Sequence, residues 1–349
     1  MSKLLASVLV LLLPLTNIAA FGYSSATLVT LPMADLFSLD HENLWALVYN
    51  ERHQEYLFRS TDGGVLWTAF LTPFPLHKVF FVNTTDGWGI AGEGSEPSFF
   101  CVFTSDSGRT WKRLATLTRN MEVPTGIAFD TSHHGWIVGQ GEVGMAFVLE
   151  TNDGGEHWSR LRWKTEPSSS PIGVRIENGR AFIWSAGAGG SGIYELQPGT
   201  FPRCITDRET MNFAFLSERV LIRASLAAVY LRVGENTEWK RVIEATGLTT
   251  FWDLRFADSA TGCVAGGQIY CTDDGGQTWS LRAQPGRRAK DEGAFIYRLY
   301  LISRLRGLAV SDGAIYWTDD AAHTWHRADF FDRQGMPVDH PFASAGGPT

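Results

Sequence analysis

One short sequence phrase, a motif of eight residues, recurs along the chain, and most copies place an aspartate next to glycines. Aspartate can bind a metal ion, transfer a proton or close a turn. The phrase reads STDGGVLW at 60–67 and returns at 104–111, 151–158, 272–279 and, without its glycines, 318–325. It lacks the alternating oxygen ligands of a calcium loop. An Asp carboxylate also accepts backbone N–H groups within a turn, and Gly supplies left-handed backbone there. We therefore predict structural roles for the aspartate and closing tryptophan of each phrase, here called a box: Asp62, Trp67, Asp106, Trp111, Asp153, Trp158, Asp274, Trp279, Asp320 and Trp325.

The spacing of the boxes predicts the architecture. The five closing tryptophans are separated by 44, 47, 121 and 46 residues, so the long gap holds about three periods. Two boxes have decayed inside it, one ending at Trp239 and one near 198–204. Repeats of 40 to 50 residues are typical of propeller blades. The chain is therefore predicted to contain seven repeats.

A second signal precedes each box and predicts four short strands per repeat. It is an apolar strand, a polar turn and a second strand that opens at Gly, as in FVNTTDGWGIAG at 81–92 and FDTSHHGWIVG at 129–139. A third strand runs into the box, and a fourth begins at its tryptophan. Four strands per repeat predict an all-β, seven-bladed β-propeller. The predicted blades are 33–71, 76–115, 123–164, 171–206, 210–244, 249–284 and 294–329, closed by an outer strand at 26–31 and followed by a flexible tail at 334–349.

These motifs resemble the Asp-box or BNR repeat of sialidases, several glycoside hydrolases and sortilin-like ectodomains. The combination of a box with a preceding Gly-Trp strand, as at 86–89 and 134–139, is more specifically similar to the photosystem II stability/assembly factor family and its non-photosynthetic bacterial relatives. The resemblance covers about residues 36 to 328 and is weakest in repeats four and five. It implies a binding platform that holds a protein partner during assembly, without catalysis.

The alternative is a carbohydrate-active enzyme, either a glycoside hydrolase or a sialidase-like protein. Glycosidase chemistry needs two carboxylates that face each other across a cleft. Aligning the inner strands places Asp35 and Asp253 near the mouth of the axial channel, where they are the best candidate pair. Mixed-charge rims are also ordinary, and the same residues serve a binding role without chemistry. The residues predicted to bind at this mouth are His77, Lys78, Asn212, Trp252, Asp253, Tyr297 and Arg298.

Composition and the two ends of the chain predict an exported protein. Residues 1–20 combine Lys3, an apolar run and a small-residue end, the layout of a secretory signal peptide, so we expect a periplasmic or secreted protein. The net charge of −7 argues against a nucleic-acid partner. We expect a monomer with a protein partner in the cell envelope, no metal, no cofactor and no transmembrane segment; the enzyme alternative requires a glycan.

The sequence contains one pair of cysteines that could form a disulfide but does not decide whether they do. Cys263 and Cys271 flank the turn signal Gly266-Gly267, so adjacent strands place them on one face, close enough to form a disulfide. Exported proteins also keep buried free thiols, and the sequence does not decide between these states. Cys101 and Cys204 fall in different repeats and are predicted to be small core residues.

Overall fold

Seven four-stranded antiparallel sheets make up the structure, and each is one blade built from a continuous stretch of chain. The computed structural model describes residues 35–50, 54–93, 96–117, 122–141, 146–161, 171–177, 179–185, 191–197, 202–234, 237–245, 250–285, 295–311, 314–331 and 336–338. The predicted signal peptide and the strand at 26–31 lie outside these residues. The described part contains no helix. The chain is thus an all-β protein with seven blades arranged as a β-propeller, as the repeat count predicts.

The strands follow one another from the inside of each blade outward. Blade 1 contains β1 (Asp35–Ser38), β2 (Leu44–Tyr49), β3 (Glu55–Ser60) and β4 (Thr68–Leu71). Blade 2 contains β5 (Leu76–Phe81), β6 (Gly87–Glu93), β7 (Glu96–Thr104) and β8 (Lys112–Thr116). Blade 3 contains β9 (Val123–Phe129), β10 (Gly135–Gln140), β11 (Ala146–Thr151) and β12 (Ser159–Arg160).

The same order continues through the remaining blades. Blade 4 contains β13 (Pro171–Glu177), β14 (Arg180–Ser185), β15 (Gly192–Leu196) and β16 (Arg203–Thr206). Blade 5 contains β17 (Asn212–Ser217), β18 (Val220–Ala224), β19 (Ala228–Val233) and β20 (Lys240–Glu244). Blade 6 contains β21 (Phe251–Phe256), β22 (Gly262–Gly266), β23 (Ile269–Thr272) and β24 (Ser280–Leu281). Blade 7 contains β25 (Arg298–Leu301), β26 (Gly307–Ser311), β27 (Ala314–Thr318) and β28 (His326–Arg327).

The Gly-Trp pair connects one blade to the next. At Gly87, a Cβ atom would lie 2.5 Å from the Phe81 ring, so only glycine lets that ring cross the second strand. The indole of Trp88 stacks on Phe129 of blade 3, with ring centroids 3.9 Å apart. Its Nε1 donates a hydrogen bond of 2.7 Å to the carbonyl of Gly154, in the box of blade 3. One side chain therefore binds both the inner strand and the box of the following blade.

Each described box with its aspartate closes the turn between strands three and four. In blade 6, Asp274 Oδ1 accepts hydrogen bonds from the backbone of Gln277 and Thr278, and Oδ2 accepts one of 2.6 Å from the Thr278 hydroxyl. The closing Trp279 donates from Nε1 to the carbonyl of Gly276 in its own box. Ala321 and Ala322, which replace the glycines in blade 7, keep the left-handed backbone with φ of 60° and 65°. The geometry is that of a structural turn.

Replacing Asp274 with Ala is expected to lower the free energy of unfolding by about 1 to 2 kcal/mol, because several donors in the turn lose their acceptor. The hydrogen bonds, that from Thr278 foremost, lower the pKa of Asp274 from 3.8 to about 2. A depressed carboxyl pKa stabilises the fold above the unfolded pKa, and this contribution is lost as the pH falls toward 2. Urea unfolding of Asp274→Ala and of the neighbouring, exposed Asp273→Ala at pH 7 and pH 3 tests this. Equal effects of the two variants at pH 7 would contradict it.

The C-terminal residues join the last blade to the first. Blade 7 already has β28 in its outer position, the place predicted for the strand at 26–31. Beyond β28, Phe330 packs on Phe58 of blade 1 with ring centroids 4.7 Å apart, and Phe331 packs on Tyr56 at 5.4 Å. Val338 donates to the Phe330 carbonyl at 3.0 Å, within the stretch predicted as a flexible tail. In the described chain, aromatic packing by these residues closes the ring between blades 7 and 1.

Cys263 and Cys271 form a disulfide between neighbouring strands of blade 6. Of the two free cysteines, Cys101 is buried, as predicted for a core residue, but Cys204 is exposed on the outer strand of blade 4. The prediction for Cys204 was therefore wrong. Outer strands face solvent on their free edge, and the decayed box of this repeat left no signal for the strand.

Candidate functional site

Polar side chains on the innermost strands of six blades interact from one blade to the next. Lys78 Nζ in blade 2 lies 2.7 Å from Asp35 Oδ2 in blade 1. The Asn212 amide in blade 5 donates to Asp253 Oδ1 in blade 6, and its own Oδ1 accepts from Arg175 in blade 4 at 2.9 Å. We call this set, completed by Arg298 of blade 7, the inner belt. It consists of Asp35, Lys78, Arg175, Asn212, Asp253 and Arg298.

The charges of the inner belt act on one another. Burial alone would raise the pKa of Asp35, but the charges of Lys78 and Arg298 outweigh it and hold the pKa below its usual range. Burial lowers the pKa of Lys78, and the Asp35 carboxylate only partly offsets this effect. For Arg298, the Asp35 and Asp253 carboxylates and Tyr300 outweigh burial and raise the pKa. Asp35 is thus a stable carboxylate at neutral pH and is poorly suited to donate a proton.

Asp253 is almost completely buried, with 1 % of its surface exposed. Its Oδ2 accepts a hydrogen bond of 2.7 Å from the backbone N–H of Leu299 in blade 7, and Oδ1 accepts from the Leu254 N–H and from Asn212. Arg255 Nε lies 3.3 Å from Oδ2. Both oxygens are engaged, so this carboxylate holds blades 5, 6 and 7 together.

The aromatic residues predicted at the mouth form a group of their own. Trp252 lies next to Tyr297, with ring centroids 6.3 Å apart, and next to Phe295 at 5.7 Å. All three are only partly buried. The group sits where β21 begins and just before β25, and Trp252 and Tyr297 directly precede the inner-belt residues Asp253 and Arg298 in the chain. It presents a partly exposed aromatic surface.

His77 contacts residues of its own blade. Its ring packs on Phe99 within blade 2, with centroids 5.3 Å apart, and lies close to Gly92. Burial first, and the Lys78 charge second, lower the pKa of His77 to about 4, so it is neutral at pH 7. Successive side chains of a strand point to opposite faces, which separates His77 from Lys78. The structure thus brings Lys78 into the inner belt, whereas His77 packs against other strands of its own blade.

Arg175 is the inner-belt residue that sequence reasoning missed. Besides Asn212, it donates to the carbonyl of Phe213 and lies 4.4 Å above the Phe213 ring. Burial first, with the nearby Arg255 and Arg298 charges, lowers its pKa to about 10, although Glu177 and Asp253 oppose this shift. The fourth repeat has no intact box and no Gly-Trp strand. Its sequence therefore does not fix the register of the inner strand and does not show that Arg175 belongs with the other inner-strand residues. An alternating pattern in VRIE, at 174–177, was the available signal.

The described residues contain no group of three or more His, Cys, Asp or Glu side chains placed to hold a metal ion. In the same part of the chain, no helix has the length and apolar character needed to cross a membrane.

Fold and site together define a seven-bladed propeller with charged and aromatic side chains on or next to its inner strands, and solved structures share this fold. YCF48 bound to D1 peptide matches with a TM-score of 0.60 and 19 % identity over 83 % of this chain and 93 % of that one. YCF48 from Cyanidioschyzon merolae matches with a TM-score of 0.56 and 17 % identity, over 84 % and 96 % of the two chains. The GH74 xyloglucanase from Xanthomonas campestris reaches 0.59 at 12 % identity, over 88 % of this chain but 55 % of the enzyme. Identities this low establish the fold alone.

No protein-family model matches the chain. No curated protein matches it either.

Proposed function

We propose that this chain is a non-catalytic propeller that binds an extended segment of another protein at its mouth. The observation that carries the proposal is the contrast between Asp253 and its neighbours. The carboxylate is buried and fully bonded, whereas Trp252, Tyr297 and Arg298, on or just before the inner strands of blades 6 and 7, keep part of their surface open. A site of this kind offers contact area and charge but no free catalytic pair.

Two further points support a protein partner in the envelope. Tryptophan, tyrosine and arginine, which are partly exposed here, are the residue types that dominate binding energy at protein interfaces. The structurally similar YCF48 was solved with a peptide of another protein, D1. With the predicted signal peptide, these points favour an assembly or stability scaffold in the periplasm or outside the cell, acting as a monomer.

The alternative function is glycoside hydrolysis by Asp35 and Asp253. A GH74 enzyme shares the fold, and the two carboxylates lie on inner strands. Inverting and retaining mechanisms both need a carboxyl group able to give up a proton to the leaving group. Neither Asp35, held ionised by Lys78 and Arg298, nor Asp253, saturated with hydrogen bonds, meets that requirement. We therefore prefer the binding function.

Photo-crosslinking tests the proposal. A photoreactive amino acid at position 297 is expected to capture a reproducible protein from native envelope extract, whereas the same amino acid at Leu281 is not. Leu281 is a matched control because it is 56 % exposed but lies on the outer strand β24. Once the partner is isolated, Trp252→Ala and Tyr297→Ala are each expected to weaken binding by about tenfold. Equal capture at both positions would refute a mouth-specific site.

A glycan panel tests the alternative in parallel. We expect no hydrolysis by the wild-type protein. Turnover that disappears in Asp35→Asn, with the fold retained by circular dichroism, would overturn the binding proposal in favour of the enzyme.

A further inference from the structure

We infer that the Cys263–Cys271 disulfide is a reversible thiol–disulfide exchange site that reacts, in the folded protein, with small anionic thiols. The two cysteines lie directly opposite each other in the β22–β23 pair, with Cα atoms 4.1 Å apart. Gly262 pairs with Thr272 on one side and Val264 with Tyr270 on the other. This ladder keeps the two sulfur atoms adjacent after reduction, so the pair can open and close again without unfolding.

The disulfide occupies a position that an aromatic ring fills in other blades. Cys263 follows Gly262 as Trp88 follows Gly87, and a Cβ at either glycine would meet the phenylalanine of its inner strand at 2.5 Å. Trp88 reaches the box of the next blade, but Cys263 is too short to do so. The corresponding carbonyl in blade 7, that of Ala321, accepts instead from Arg282 Nε at 3.2 Å. A cysteine here leaves space between blades 6 and 7.

That space is a small cavity that is only partly open to solvent, and both cysteines line it with 6 % and 5 % of their surface exposed. Its volume is about 20 Å³, and its walls include Ile269, Leu299 and Trp325. The indole of Trp325 is turned out of its usual position and donates to Ala283 in blade 6, whereas the indole of Trp279 donates within its own box. A cavity of this size admits roughly one small group, such as the sulfur of an incoming thiol.

The charges around the cavity favour an anionic thiol. Arg282, Arg304 and Arg306 all contribute to its lining, against one acidic residue, Asp273. Arg304 is paired with Asp258 at 3.0 Å, and its side chain is 69 % exposed, so it can also contact a ligand from solvent. Cations raise the local concentration of anionic reactants and favour the thiolate over the thiol. The fitting reactant is a small thiol that carries carboxylates.

The exchange balances as two successive displacements. An incoming thiolate attacks one sulfur, forms a mixed disulfide with it, and the S–S bond breaks to leave the other cysteine as a thiolate. A second thiolate attacks the mixed disulfide and releases the oxidised small disulfide. The protein gains two electrons, the two small thiols lose them, and the two cysteine thiolates take up the protons the small thiols lost.

The test uses the full mature chain with Cys204→Ser, which removes the exposed free thiol. The probes are reduced glutathione, which carries carboxylates, and neutral 2-mercaptoethanol, with alkylation and mass spectrometry to count reduced Cys263 and Cys271. We expect both to become labelled in native buffer while buried Cys101 stays unlabelled, which shows that the propeller has not opened. Reoxidation should restore the starting mass. Labelling of Cys263 and Cys271 only together with Cys101 would overturn the inference.

A charge variant tests the choice of reactant. Arg304→Gln is expected to slow exchange with glutathione by about threefold and to leave exchange with 2-mercaptoethanol unchanged. Arg327→Gln is the matched control, because Arg327 is also exposed but lies on the outer strand of blade 7 and does not line the cavity. Equal rates of glutathione exchange in Arg304→Gln and Arg327→Gln would refute the role of the arginines. Neither result depends on whether the mouth binds a protein.

Discussion

Asp253→Ala is expected to destabilise the propeller by about 3 to 5 kcal/mol, the cost typical of removing one partner from a buried charged network. The carboxylate accepts hydrogen bonds from the backbone of Leu254 and Leu299 and from the Asn212 side chain. Removing it leaves those donors buried without this acceptor and leaves Arg255 without its ion pair. Because the lost contacts span three blades, we expect the whole ring to unfold at lower denaturant concentration.

Equilibrium unfolding in urea, followed by tryptophan fluorescence, measures this loss. Asp258→Ala is the matched control: its carboxylate also accepts two backbone hydrogen bonds, but within one exposed turn, and it pairs with the exposed Arg304. We expect the control to cost about 1 kcal/mol. A similar loss in the two variants would mean that Asp253 is not a structural centre, and its role in the mouth would have to be reconsidered.

The blade count was predictable from the sequence because its signals are local. Each box folds within eight residues, and its aspartate bonds only to groups inside the same turn, as Asp274 does. These motifs therefore repeat with the period of the blade and do not depend on the residues that pack against them from other blades. The seven blades are confirmed, and the strands of repeats four and five, which keep only a hydrophobic pattern, form sheets like the others.

Blade-to-blade contacts were harder to predict because they depend on how two distant segments meet. Trp45 shows this. The first repeat has Leu44 in place of the usual Gly, so no Gly-Trp pair marked it. Yet the Trp45 indole stacks on Phe81 at 3.9 Å and donates to the Ser107 carbonyl in the box of blade 2, as Trp88 does one blade further on. Blade 1 needs no glycine because Leu44 pairs with Ser38 and not with a phenylalanine, and the tryptophan is what connects the blades.

The same distinction applies to the mouth. Aligning the inner strands placed Asp35, Lys78, Asn212, Asp253 and Arg298 at one end, but it could not decide which of them pair. The structure links Asp35 to Lys78, and Asp253 to Asn212 and Arg255. Those pairings follow from side-chain length and from the shift in register between Phe251 and Asp253, neither of which a repeat alignment records. The binding role of these residues stays a prediction.

Trp88→Ala is expected to cost about 4 kcal/mol, in the range found when a buried aromatic ring is cut back to a methyl group. Trp88 is 1 % exposed, its ring stacks on Phe129, and its Nε1 bonds to Gly154. The variant loses the contact between blades 2 and 3 on both the inner strand and the box. Urea unfolding measures the loss, and a cost below about 1 kcal/mol would show that the ring does not hold these blades together.

A pair of milder variants separates the hydrogen bond from the packing. Trp136, one blade further on, is equally buried at 2 % exposure, but its Nε1 has no acceptor among the described residues, because the box of blade 4 has decayed. Changing either tryptophan to Phe keeps an aromatic ring and removes the indole N–H. Trp88→Phe should therefore cost about 1 kcal/mol more than Trp136→Phe, the net value of one buried hydrogen bond. If Trp136→Phe lowers the free energy of unfolding as much as Trp88→Phe does, ring packing alone joins the blades, and the hydrogen bond to the box carbonyl adds no stability.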